Sequence, residues 1–228
     1  MKSMFAGCAD GFRYLKANKG IFTIILTMAL LNFFSRLTYE NILSPMILSR
    51  SGNNSVVLGV VNAVMGIGGI VGGVIVSTGK LKGKAAKMIY FSAAVSFLLG
   101  DLMMGLGRGV FLWSLAALAA SLPITFISAA QMVLLYKHIP EEIQGRVFSV
   151  RNAIQFSTIP IGILLGGFLA DYVFEPFMMN DNPVSNFLHL LVGQGAGSGM
   201  AVMFLCTGVL GAAFSMIFYH QKAVQNLE

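Results

Sequence analysis

Long stretches without a single charged residue constrain this chain more than any other feature of its sequence. Residues 51–79, 109–136, 152–170 and 182–221 contain no Lys, Arg, Asp or Glu. Each is about as long as, or longer than, the roughly 20 apolar residues that carry a helix across a bilayer. Two further stretches share this character but hold internal charges: 20–48 with Arg36 and Glu40, and 88–107 with Asp101. They still read as spans, because a penalty of about 3 kcal/mol for a central charge is offset by the surrounding Leu, Ile, Phe and Val. The runs are continuously apolar, without the ten-residue alternation of a membrane barrel, and a backbone in lipid must satisfy its own hydrogen bonds. The predicted fold is therefore all-α, a polytopic six-helix transmembrane bundle with spans over 20–48, 56–78, 88–107, 110–136, 147–172 and 197–219.

The charges outside these runs predict orientation. Six spans put both termini on one side, and that side holds Lys2, Arg13, Lys16, Lys19, Lys80, Lys82, Lys84, Lys87, Lys137, Arg146, Arg151 and Lys222. The other side holds Arg50 and Arg108. The positive-inside rule makes the first side cytoplasmic in a multi-pass cell-membrane protein. It also accounts for the formal net charge of +6 without nucleic acid, since the basic residues spread along one membrane face and form no recognisable binding fold. Asp10, Arg13, Lys16 and Lys19 interrupt residues 1–19, which read as a cytoplasmic amphipathic linker rather than a signal peptide. The transmembrane domain covers 20–219, and 220–228 is a cytoplasmic tail.

Few residues offer reaction chemistry. Cys8 and Cys206 fall in the linker and the last span, so no disulfide, metal or redox role is expected of them. His138, His189 and His220 lie in loops or at span ends with no ligand spacing. No cofactor and no enzyme activity are expected. Glycine instead marks close packing: Gly68, Gly69, Gly72 and Gly73 form two overlapping small-xxx-small pairs in the second span. Pro160, Gly162 and Gly166 give the fifth span both a helix breaker and a second packing face, the pattern of a hinge.

Several motifs resemble one family. Pro140-Glu141-Glu142-Ile143-Gln144-Gly145-Arg146-Val147-Phe148-Ser149, followed by Asn152, is similar to the cytoplasmic loop between helices ten and eleven of major facilitator superfamily transporters. The macrolide-efflux and siderophore-exporter branch is the most similar. The stretch from Gly166 to Pro176 and the run Gly193-Gln194-Gly195-Ala196-Gly197-Ser198-Gly199-Met200 resemble the eleventh helix and last outer loop of that branch, and Gly11 to Leu15 resembles the linker before helix seven. The resemblance implies the C-terminal half of a twelve-helix secondary transporter. Its small-molecule substrate would pass between this half and a second six-helix half, either another copy or a separate chain, in efflux coupled to protons as an antiporter. The loop Thr78 to Lys84 keeps the family's glycines and basic residues but lacks its acidic one, which puts charge-relay gating there in doubt.

The polar residues inside the spans carry the functional expectation. Asn32, Arg36, Glu40 and Ser44 recur every four residues and so share one helix face. Arg36 and Glu40 can pair at i and i+4, either as a structural pair near the outer interface or as a cavity-facing pair that meets substrate or a proton. Intramembrane charges are functional candidates by default, and the resemblance makes this the cavity-lining seventh helix. The predicted substrate and ion pathway is Asn32, Arg36, Glu40, Gln131 and Gln155. Asp101, with Arg108 two turns along the same face, reads either as a protonatable carboxylate or as part of an outer charge network. The resemblance places that helix at the periphery and favours the network. Competing readings are a non-transporting membrane partner, a split-gene remnant, and a membrane-embedded enzyme with a cluster of Asp, His or Cys at the membrane surface.

Overall fold

The computed structural model describes residues 4–79 and 83–227, which are helical throughout apart from short turns. Lys80, Leu81 and Lys82 of the basic loop lie outside the described residues. Six helical stretches are long and apolar enough to cross a membrane: Lys19–Arg50, Ser55–Ser77, Ala85–Leu106, Val110–His138, Glu141–Met179 and Ser198–Tyr219. Each coincides with one predicted span. The short helix α1 (Met4–Ala17) precedes them.

Three spans are interrupted. The first consists of α2 (Lys19–Thr38) and α3 (Leu43–Arg50), joined by turn residues 39–42. Pro45 is the cause in sequence: it lacks an N–H and its ring excludes the carbonyl four residues back. The third span runs as α5 (Ala85–Val95), a wide π-helical turn at Ser96–Asp101, and α6 (Leu102–Leu106). In the fifth, α8 (Glu141–Leu169) passes through a second π-helical turn, Ala170–Phe174, into α9 (Glu175–Met179). Such turns inside long helices often mark functional sites. The second, fourth and sixth spans are α4 (Ser55–Ser77), α7 (Val110–His138) and α11 (Ser198–Tyr219).

Packing follows the glycines, though one face of each pair only. A Cβ at Gly68 or Gly72 would strike Ser121 or Thr125 of α7, so α4 and α7 run backbone to side chain. The other pair behaves differently from expectation, because Gly69 and Gly73 have nothing within 4 Å of where a Cβ would be. A helix 100° per residue around cannot turn adjacent glycines toward the same neighbour. In the fifth span, a Cβ at Gly162 would come within 2.8 Å of the Arg36 Cβ, and one at Gly166 within 3.0 Å of the Leu37 carbonyl carbon. These contacts set α8 against α2. In lipid such close approach, rather than a hydrophobic drive, holds helices together.

The flanking segments are anchored to this bundle. Asp10 of α1 pairs with Arg146 at 3.3 Å, the Tyr14 hydroxyl donates to the His138 carbonyl at 2.8 Å, and Leu15 is fully buried. Desolvation raises the Tyr14 pKa, so it stays a neutral donor. At the other end α12 (Lys222–Gln225) buries Val224, and the chain there lies against Gly20 through Ala223 and Leu227.

Between the fifth and sixth spans, where sequence reading predicts only a loop, lies α10 (Pro183–Val192). Asn182 and Ser185 form a capping box, Pro183 occupies the first turn and Gly193 follows the helix at φ 92°, the full set of start and stop signals.

Candidate functional site

The polar stripe of the first span opens onto a cavity of about 480 Å³ between the first five spans. Asn32, Arg36 and Glu40 border it from the first span, Gln131 from the fourth, and Arg151 and Gln155 from the fifth. All the predicted pathway residues thus face one space, although they are drawn from three spans. Asp101, Tyr39 and several serines add polar atoms to the lining, and the rest of the wall is apolar, with Met28, Leu31, Met65, Phe97, Ile124, Ile127 and Phe156. Such a lining suits an apolar solute with a few polar groups.

Charges in the cavity are treated in two ways. Arg36 and Glu40 form an ion pair along their helix, with side chains about one third and one half exposed. Arg151 has no carboxylate partner among the described residues. It donates instead to the Gln131 amide oxygen at 2.8 Å and to the Asn152 amide oxygen at 3.4 Å. The Gln131 and Gln155 side-chain amides, both nearly buried, and the Nε of Arg36 and Arg151 find no acceptor among the described residues. Unpaired donors therefore outnumber acceptors around this site among the described residues.

Asp101 belongs to this cavity and not to an outer network with Arg108. The π-helical turn ends on Asp101 and points it inward, where it is 1% exposed and borders the cavity. Tyr39, in the break of the first span, donates to its Oδ1 at 3.0 Å, and Thr207 of the sixth span donates to its Oδ2 at 2.8 Å. The Tyr39 ring stands edge-on to Phe204 with centroids 5.3 Å apart. Arg108 instead donates to the carbonyls of Leu190 and Leu191 at 2.9 and 3.3 Å, and Arg50 donates to that of Val192. Two arginines thus cap the C-terminus of α10, where unpaired carbonyls and the helix dipole favour cations.

Other residues that sequence reading left out have structural tasks at this outer end. Glu175 accepts from the backbone N–H of Gly197 at 3.2 Å and of Met200 at 2.9 Å, which caps the start of α11. His189 lies 2.9 Å from the Met178 carbonyl and 3.0 Å from that of Gly193, so it ties α10 to α9 and to the following turn. Cys8 and Cys206 are unpaired. Among the described residues no group of three or more His, Cys, Asp or Glu is placed to hold a metal.

With this geometry in view, similarity to known proteins is informative. The chain is similar to macrolide efflux protein A of Streptococcus pyogenes, with 28% identity over 169 residues that make up 72% of this chain and 40% of that protein. It is likewise 28% identical to macrolide efflux protein A of Enterococcus faecalis over 159 residues, 68% of this chain and 48% of the relative. The chain therefore matches less than half the length of either relative. No protein-family model matches it, and no solved structure does. The apolar helices and these relatives together identify a multi-pass α-helical membrane protein similar to efflux transporters.

Proposed function

We propose that this chain is one six-helix half of a secondary active transporter that exports a drug-like or secondary-metabolite small molecule by alternating access, in exchange for protons. The observation that carries the reading is the half-polar cavity on which Asn32, Arg36, Glu40, Gln131 and Gln155 converge. Similarity to macrolide efflux proteins over more than two thirds of the chain supports export as the direction. Substrate acceptors engage the amides of Gln131 and Gln155, while its apolar body lies against Phe97, Ile127 and Phe156. Glu40 alternates between pairing with Arg36 and binding a proton. Pro160, with the π-helical turns, supplies the places where spans bend.

A second six-helix half, another copy of this chain or a separate one, closes the cavity. The second and fifth spans are the least covered by the rest of the chain. The second also turns Gly69 and Gly73 outward, and a glycine face in lipid favours a packed helix. Both termini lie in the cytoplasm, as the basic residues favour.

Export from vesicles holding the chain at controlled stoichiometry tests the assembly: flux is expected only when twelve helices are present, and flux from a demonstrated monomer refutes it. Single-cysteine labelling in intact cells, in a background lacking Cys8 and Cys206, tests the orientation. Asn182→Cys should label from outside and Lys84→Cys should be protected, and the reverse pattern inverts the topology.

A further inference from the structure

We propose that Asp101 is a proton-binding site of this chain, and that the Thr207 and Tyr39 hydroxyls convert its protonation into a change at the break in the first span. The role in transport rests on the function proposed above, while the proton binding does not.

Asp101 is enclosed yet borders the cavity, so water there can deliver a proton to it. Among the described residues its partners are two hydroxyls, with no cation. Residues 110–135 of α7 and 198–219 of α11, which flank it, contain no Lys, Arg, His, Asp or Glu. Their titratable side chains are Cys206 and Tyr219 of α11. From α5 come Lys87 and Tyr90, the latter donating to Thr27 at 3.3 Å. The charged groups on the cavity itself are Arg36, paired with Glu40, and Arg151, bonded to Gln131. A carboxyl group held this way is satisfied in either charge state, which a salt-bridged one is not.

The two hydroxyls are not equivalent, and the difference decides where the proton sits. Tyr39 has Asp101 as its hydroxyl's sole acceptor among the described residues. Thr207 Oγ1 also lies 3.1 Å from the Met203 carbonyl oxygen and 3.2 Å from that of Phe204. A proton arriving at Oδ2 therefore displaces nothing: the new carboxyl O–H donates to Thr207 Oγ1, and the threonine hydrogen turns to Met203 or Phe204. At Oδ1 it would leave the Tyr39 hydrogen without an acceptor. With the proton on Oδ2, Tyr39 still donates to Oδ1, but to a neutral oxygen instead of an anion, and the bond weakens. Tyr39 is the first of the four residues that interrupt the first span. Protonation thus loosens the hold of the third span on the hinge of the first, while the π-helical turn beside Asp101 gives the backbone room to follow.

Infrared difference spectroscopy on the purified chain in lipid nanodiscs, titrated with acid, tests the proton site directly. Among the carboxyl C=O bands that the nine acidic side chains contribute on acidification, one is expected in the wild type and in Glu40→Gln and should be missing from Asp101→Asn of unchanged helix content. Thr207→Val should displace the titration midpoint by roughly one pH unit, while Thr207→Ser, which keeps the hydroxyl, leaves it in place. If Asp101→Asn retains every titrating band, Asp101 binds no proton. An unmoved midpoint in Thr207→Val removes the threonine switch. Neither readout needs a second half or a substrate. A wild-type chain that lacks the Asp101 band while the assembly exports overturns this inference alone, and a wild-type Asp101 band that titrates while export is absent overturns the proposed function alone.

Discussion

Glu40 and Asp101 border one cavity, yet their charges are accommodated by opposite means. Glu40 is about half exposed and is paired with Arg36 one turn back on its own helix. Asp101 is enclosed, has no cation partner among the described residues, and takes hydroxyl donors from two other spans. The first solution is local: it lowers the cost of inserting one helix and asks nothing of the fold. The second exists only once the first, third and sixth spans have assembled, so it links their positions to the charge of a single group. A change of charge at Glu40 therefore disturbs one helix, whereas one at Asp101 disturbs contacts among three spans.

The largest way to disturb this contrast is to move the helices that hold each group. Gly100, in the π-helical turn before Asp101, has the Ala120 Cβ within 2.7 Å of where its own Cβ would be, and Gly162 has the Arg36 Cβ at 2.8 Å. Leucine at either position must push two spans apart, at about 2–3 kcal/mol or more for an overpacked core. Thermal unfolding in detergent should show a markedly lower midpoint for Gly100→Leu and Gly162→Leu. Gly69→Leu, whose Cβ would meet nothing, should leave the isolated chain unchanged. Because leucine is the better helix former, an equal loss at all three would mean that the loss does not arise from the close contacts at Gly100 and Gly162.

A smaller effect separates the carboxylates by function. Export by the complete assembly through one titrating group changes by at most about tenfold per pH unit. Glu40→Gln is expected to insert and fold normally while its export loses activity or becomes flat with pH. Wild-type pH dependence in a well-folded Glu40→Gln protein would remove Glu40 from the mechanism and leave its stripe as packing.

The same contrast explains what could be read from the sequence. Spans are a local property, since a run of apolar residues is long enough to cross a bilayer or it is not, and all six were legible. The stripe was legible too, because Asn32, Arg36 and Glu40 repeat at helical spacing. The setting of Asp101 was not: Tyr39 and Thr207 lie 62 and 106 residues away, and no local pattern joins them. Spacing to Arg108 suggested a partner that instead caps α10. That helix carried readable signals in Asn182, Pro183, Ser185 and Gly193, hidden because they sit inside an uncharged run that composition alone assigns to a loop and a span. Likewise the glycine motif was plain at Gly68 to Gly73, but which glycines meet a neighbour depends on where α7 lies.

The smallest expected effect is the coupling between Arg36 and Glu40, and it bears directly on how the two carboxylates differ. Their pair is close, but the side chains are about one third and one half exposed. Exposed pairs contribute about 1 kcal/mol or less. A double-mutant cycle with Arg36→Gln and Glu40→Gln, read by thermal unfolding of the chain in nanodiscs, should therefore give a coupling below about 1 kcal/mol. A weak pair is what the proposed function needs, because a proton can then displace Arg36 from Glu40 without first opening the bundle. Salt offers an independent check: raising ionic strength should shrink the coupling further if the pair is wetted. A salt-independent coupling of several kcal/mol would place both side chains out of water. Glu40 would then be a fixed structural charge, and Asp101 would remain as the carboxylate of this cavity able to change its state.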